Sequence, residues 1–173
     1  MERANRLGGL SAEESRRLKE QELASAGEAL VKRYLNGLPL RDVDAELTKH
    51  GEEDRGTVKQ MVLSHLADAI DLANADRSGK ALSAIEHFSG DRDAVERVRA
   101  LLREHEEALA KSRQESGGAL AEARRAELER LGISGSAVKP VTETSEKWQE
   151  VRSRIDADYG ARLDEARAGW RRA

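Results

Sequence analysis

The sequence predicts an all-α protein, in which an N-terminal helical bundle carries a long antiparallel, coiled-coil-like helical hairpin. Three observations predict this class. Of the 173 residues, 36% are charged and only 3% are aromatic, and the commonest residues are Ala, Glu, Arg and Leu, which favour helices. Apolar residues recur at spacings of three and four, which is the helical period. Finally, about 40 residues from Asp91 onward contain no proline.

The N-terminal helical region is predicted over about 11–90, after a flexible terminus at 1–10. Its first helix begins at Ser11, because Ser11 and Glu14 have the spacing of a capping box. The segment "NGLP" ends that helix near residue 35, since Gly37 suits a C-terminal cap and proline cannot continue a helix. A short helix is expected over about 40–50.

The most apolar segment of this region starts near Thr57 and is predicted to be the central helix of the bundle. Three acids precede it in "GEEDRG", which favours a helix N-terminus through the local dipole. We expect "RSG" to break this helix near Gly79. A last short helix, "KALSAIEHFSGD", should face inward with Leu82, Ile85 and Phe88.

The predicted hairpin occupies about 91–173, with its turn near 132–144. In its first helix, Val95, Val98, Leu102 and Leu109 follow a heptad pattern. The seam weakens at "SRQESGGA", where two adjacent glycines predict a bend, a fraying point or a close approach by another segment. The second helix is predicted over about 145–171, capped by Thr144 or Ser145.

The turn "GISGSAVKP" has no charged residue from Gly132 to Val138. Its glycines can end a helix and its proline delays the next one. Two interpretations of Ile133, Val138 and Val141 stay open. These side chains either fold back over the end of the hairpin or form an apolar tip that contacts a partner protein.

Composition also argues against several classes of protein and chemistry. The net charge is −3, and neither 1–90 (13 basic, 16 acidic) nor 91–173 (17 of each) has the basic excess of a nucleic-acid-binding protein. There is no cysteine, which excludes disulfides and thiol chemistry. No apolar run approaches a membrane span, and the N-terminus lacks the pattern of a secretory signal. We therefore expect a cytoplasmic protein without nucleic-acid or membrane partners.

The titratable residues predict no catalytic, cofactor or metal site. None of the four histidines belongs to a two-histidine or Glu-x-x-His metal motif. His65 lies on an apolar stripe and is expected to be a core residue, while His105, on the inner seam of the long helix, is expected to set register. The closing "GWRRA" is expected to be a solvated helix end, favoured by its dipole.

Several segments, "GEALVKRYLNG", "VKQMVLSHLADAI" and "LERLGISGSAVKP" with "SEKWQEV", resemble an uncharacterised family of small all-helical bacterial proteins of unknown function. The resemblance implies a bacterial, all-helical protein and assigns no site.

The leading functional hypothesis is a non-enzymatic scaffold or adaptor that binds protein partners through its helical surfaces. The alternative is a ligand-binding or enzymatic helical bundle with a pocket near Met61, His65 and Phe88. A third hypothesis is a regulator that inserts its hairpin into a larger complex. The cheapest discriminator is a structure, because a deep polar cavity at those three residues would favour the alternative.

A homodimer is also predicted. The first hairpin helix, at 1.5 Å per residue, outruns the second by roughly 20 Å. Its apolar seam is then left partly uncovered unless the N-terminal helices or a second copy of the chain pack on it. Leu102 and Leu109 are the expected interface residues.

Overall fold

The computed structural model describes residues 11–133 and 145–171, and within these ranges the chain is all-α, with six helices and no strand. The predicted fold class is therefore confirmed. Val138 and Val141 lie outside the described residues. The helices are α1 (Ala12–Leu35), α2 (Leu40–Thr48), α3 (Glu52–Asp68), α4 (Ala75–Ser89), α5 (Arg92–Arg130) and α6 (Glu146–Arg171).

The first helix begins and ends where the sequence predicts. The Ser11 hydroxyl accepts a hydrogen bond from the Glu14 backbone N–H at 3.2 Å, and the Glu14 carboxylate accepts one from the Ser11 N–H at 2.8 Å. This is the complete capping box. After α1, Gly37 has a φ of 113°, a conformation that favours glycine.

The boundary between α3 and α4 differs from the prediction. The central helix starts earlier, at Glu52, and ends at Asp68, and Gly79 lies inside α4. The chain turns earlier because the Asp71 carboxylate accepts hydrogen bonds from the backbone N–H groups of Ala73 and Asn74, both at 2.7 Å. Asn74 then caps α4 by accepting from the Arg77 N–H at 3.0 Å. Side-chain to backbone bonds therefore set this boundary, and the exposed Gly79 does not.

The chain divides into two compact units. The first comprises residues 1–95 and 167–173, and the second comprises residues 96–166. The core of the first unit lies between α1, α3 and α4, where Val58, Leu66, Ile70, Leu82 and Ile85 are buried.

The crossing of α1 and α3 depends on Gly27. A Cβ added to this buried glycine would lie 2.7 Å from the Met61 Cβ and 3.3 Å from the Val62 backbone nitrogen. Real Cβ atoms do not approach so closely, and the two helices could not keep this separation with any larger residue at position 27. Gly27 therefore permits the packing of the central helix.

The end of α6 belongs to the first unit and contacts α3. The Arg167 guanidinium donates to the Ala67 carbonyl in the last turn of α3 at 3.5 Å, and to the Ile70 carbonyl just after the helix at 2.7 Å. Gln60 donates to the Trp170 carbonyl at 3.1 Å, and the Trp170 side chain is buried. The expectation of a solvated "GWRRA" end is therefore wrong for Trp170. An indole has a large apolar surface, and burying it is favourable.

In the second unit, α5 passes through Gly117 and Gly118 without interruption. Nothing lies within 4 Å of a Cβ built on Gly118, so the alternative of a close approach is wrong at that glycine. Helix α6 starts after Ser145, whose carbonyl accepts from the Gln149 N–H at 3.0 Å, as predicted for an N-cap. The antiparallel hairpin itself stays a prediction.

Candidate functional site

One open cavity of the first unit includes His65. Its volume is about 720 Å³, and it is open to solvent between α1, α3, α4 and the turn before α4. Its lining combines apolar, polar and charged residues: Glu28, Val31, Lys32, Leu35, Asn36, His65, Asp68, Ala69, Asn74, Asp76, Arg77 and Lys80. We call this cavity the His65 groove.

The sequence hypothesis for this pocket names three residues, and the structure places one of them in the groove. His65 is half-buried and lines it. Met61 is not part of the lining and lies against Gly27. Phe88 is buried with its ring edge-on to that of His87, at a centroid distance of 5.0 Å. The His65 groove therefore contains one of the three residues of that hypothesis.

The charges of the groove are mixed. Lys32, Arg77 and Lys80 are exposed cations on its lining, and Glu28 and Asp76 are exposed anions. Asp68 is paired with Arg171, whose Nε lies 2.6 Å from its carboxylate. Such a groove can hold a polar ligand by ion pairs. Among the described residues, however, no group of three or more metal-ligating side chains comes together.

One wall of the groove is fixed by Tyr34. Its hydroxyl donates to the Lys80 carbonyl at 3.0 Å and so joins α1 to α4. Burial raises the pKa of the Tyr34 hydroxyl above its ordinary value, because the phenolate would be poorly solvated there. Sequence reasoning missed this contact, since the residue also fits the apolar stripe of α1.

A second candidate site is the C-terminal end of α5. Gly132 has a φ of 70°, and the chain closes the helix with hydrogen bonds from the Ile133 N–H to the Leu128 carbonyl and from the Gly132 N–H to the Glu129 carbonyl, both at 3.0 Å. This is a Schellman motif and confirms the predicted end at Gly132. It leaves Leu131 61% exposed and Ile133 54% exposed. We call these two residues the apolar end of α5.

The predicted dimer residues are only partly accessible. Val95 and Val98 are fully buried within the single chain, whereas Leu102 and Leu109 are half-buried. The seam expected to be open over the first half of α5 is therefore covered at its first two positions. Leu102 and Leu109 stay candidates for a dimer interface, with part of their surface already removed from water.

The second unit also holds a buried histidine with a carboxylate partner. His105, 3% exposed, places its Nε2 atom 2.7 Å from an Asp156 carboxylate oxygen. Its ring lies edge-on to Tyr159, at a centroid distance of 5.4 Å. The heptad pattern indicated that His105 faces inward, but it could not identify Asp156, since carboxylates are frequent on both helices.

Comparisons with known proteins assign no family to this chain. No protein-family model, curated protein or solved structure matches it. None of the helices within 11–133 and 145–171 is both long enough and apolar enough to cross a membrane.

Proposed function

We propose that this protein is a non-enzymatic helical scaffold or adaptor and that the apolar end of α5 is a contact for a protein partner. The observation that carries this proposal is the exposure of Leu131 and Ile133. Only Leu18, 46% exposed, joins them as an exposed large apolar residue among the described residues. Two such side chains, separated by one residue at a helix end, form a small apolar patch of the kind that partner proteins cover.

The local geometry supports a fixed patch. The Schellman hydrogen bonds hold the backbone on either side of Gly132, so the two apolar side chains are presented without a large ordering cost on binding. Charged residues such as Glu129 and Arg130 precede them. An apolar centre with a charged rim is the usual composition of a non-obligate protein interface.

The test is affinity purification of the tagged full-length chain from its native cell, with Leu131→Lys and Leu18→Lys compared. Both changes put a lysine on an exposed leucine, but Leu18 lies on α1, in the other unit. We expect proteins captured by the unaltered chain to be lost with Leu131→Lys and kept with Leu18→Lys. Capture that survives Leu131→Lys and Ile133→Lys alike would exclude the apolar end of α5 as the contact.

The second candidate function is ligand binding in the His65 groove, which its volume of about 720 Å³ favours because small-molecule pockets fall in this range. The test adds a panel of small carboxylates and amines to the protein. Binding is monitored through the amide resonances of residues 65–80. Saturable shifts that vanish in Lys80→Glu and persist in Lys49→Glu, a lysine outside the groove, would support this candidate.

A further inference from the structure

His105 is one of two buried polar or charged residues among those the structure describes, and the only one in the second unit. The other, Ser78, makes two hydrogen bonds to the backbone of Asp71, at 2.8 and 3.0 Å. His105 makes one, through Nε2 to Asp156, while its Nδ1 atom is buried with no hydrogen-bond partner. An imidazole has two ring nitrogens that can form hydrogen bonds. When only one of them has a partner, loss of that partner leaves the buried ring without any hydrogen bond, which is costly.

The Asp156 carboxylate is an acceptor, so the Nε2 atom of His105 carries the proton of this hydrogen bond. Asp156 is 40% exposed on its side chain and also lies 3.5 Å from the Arg152 guanidinium. Tyr159 covers one edge of the imidazole, and the Arg162 guanidinium lies 4.7 Å from the Tyr159 ring centroid. His105 thus has one acceptor, Asp156, and its ring lies against that of Tyr159.

Among the positions four or seven residues from Asp156 on α6, only Gln149 offers His105 an acceptor. A shift of α6 by one turn, four residues, would bring Arg152 or Gly160 opposite His105. Arginine has no acceptor and glycine has no side chain. A shift by seven residues would bring Leu163, which has no acceptor, or Gln149, which has one.

A second contact at the same level also changes with these shifts, but both its side chains are exposed, so it contributes little to the choice of register. Glu104 accepts from the Arg162 guanidinium at 2.9 Å in the observed pairing. The shift that offers Gln149 to His105 would place Ile155 opposite Glu104, and the shift that offers Arg152 would place Asp158 there. An apolar side chain gives no ion pair, and a second carboxylate repels the first.

We propose that His105 and Asp156 set the register of α6 on α5 in the second unit, because most shifted pairings would leave a buried imidazole without an acceptor. Few other residues of the second unit are buried, and those of α6 are Trp148 and Leu163. Between 106 and 130, a range that the structure describes in full, α5 has no buried residue. Polar pairs on helical seams have this role in coiled coils, where they select one register at a cost in stability.

The experiment uses the absence of cysteine from the chain. Spin labels on cysteines at Lys111 and Ala157, both exposed residues of the second unit, report the distance between α5 and α6 in the full-length protein. We expect one narrow distance in the unaltered chain. His105→Leu with Asp156→Leu should keep the helical circular dichroism and give a broad or two-component distribution, whereas Asp156→Asn, which retains an acceptor, should keep the narrow one.

The matched control is Glu104→Gln with Arg162→Gln, which removes an exposed pair between the same helices. It should leave the distance distribution unchanged. A single unshifted distance in the double leucine variant would overturn the proposal, because apolar packing would then set the register alone. Should that variant lose its helical signal, Asp156→Leu against Asp156→Asn decides instead, and equal narrow distances in both would overturn the proposal.

Discussion

The two units bury very different amounts of apolar surface. Of the 22 buried apolar residues in the described part of the chain, 18 lie in the first unit and only Val98, Leu101, Trp148 and Leu163 lie in the second. Apolar burial dominates stability, so the first unit is specified by a packed core. In the second unit, a few apolar contacts leave more of the specificity to polar pairs such as His105 and Asp156.

The largest effect should come from removing Trp170, the residue of α6 that is buried in the first unit. Trp170→Ala is expected to lower the free energy of unfolding by about 3–5 kcal/mol, since it deletes a large buried ring. Denaturant unfolding followed by circular dichroism measures it.

Trp148 is exposed to the same extent as Trp170, 6% each, but belongs to the second unit. Trp148→Ala is therefore the matched comparison, and we expect it to affect a separate, weaker transition. If both variants shift one common transition equally, the two units unfold together. Their different cores would then not give them different stabilities.

The next effect concerns the two arginines at the end of α6. Arg167→Met removes a charge-assisted hydrogen bond to the carbonyl of the buried Ile70, just after α3, and should destabilise the protein by about 1.5–3 kcal/mol. Arg171→Met breaks a pair with the largely exposed Asp68 and should cost at most about 1 kcal/mol. Thermal unfolding of both variants checks the order, which an equal loss would contradict.

Replacing glycine by alanine should change the free energy of unfolding in opposite directions at two helical glycines of the first unit. Gly27→Ala inserts a methyl group into the contact with Met61 and should destabilise by about 1–3 kcal/mol. Gly79 is an exposed position of α4, and a Cβ built there has nothing within 4 Å, so Gly79→Ala should stabilise by about 0.5–1 kcal/mol. Chemical denaturation of the two single variants measures both signs. Stabilisation by Gly27→Ala would show that α1 and α3 can separate at no cost.

The smallest effect concerns Tyr34. Tyr34→Phe removes the hydrogen bond to the Lys80 carbonyl and should cost about 0.5–1.5 kcal/mol at neutral pH. Burial raises the pKa of Tyr34 above its ordinary value of 10.0, so the folded state favours the neutral phenol. The stabilisation is complete below pH 10 and is lost as pH rises through the folded-state pKa.

The difference in unfolding free energy between Tyr34→Phe and the unaltered chain, measured from pH 7 to 11, checks this sign. It should shrink above pH 10. A constant difference would mean that Tyr34 ionises equally in the folded and unfolded chains.

Sequence reasoning predicted the fold class and most helix ends, because capping residues and apolar spacing act locally. It wrongly placed the boundary between α3 and α4 near Gly79. The side chains of Asp71 and Asn74 accept backbone hydrogen bonds that compete with helix continuation before that glycine. It missed the burial of Trp170 and the carbonyl contacts of Arg167. Both depend on residues about a hundred positions away, which no local pattern contains.

The candidate sites were predicted less completely. Ile133 was named from its place in an uncharged turn and is 54% exposed, but Leu131 was not singled out. His65 was expected in the core and instead lines a groove, because α3 ends at Asp68, only three residues later. The partner of His105 required the relative placement of two helices, which the sequence does not contain.

The contact between Arg167 and Ile70 also has a consequence for synthesis on the ribosome. The two residues are 97 positions apart, and translation at 5–20 residues per second separates their emergence by about 5–20 s. During that interval, α1 to α4 are outside the ribosome without the helix end that covers α3. The nascent first unit therefore presents an incomplete surface for a time in which chaperones can bind it.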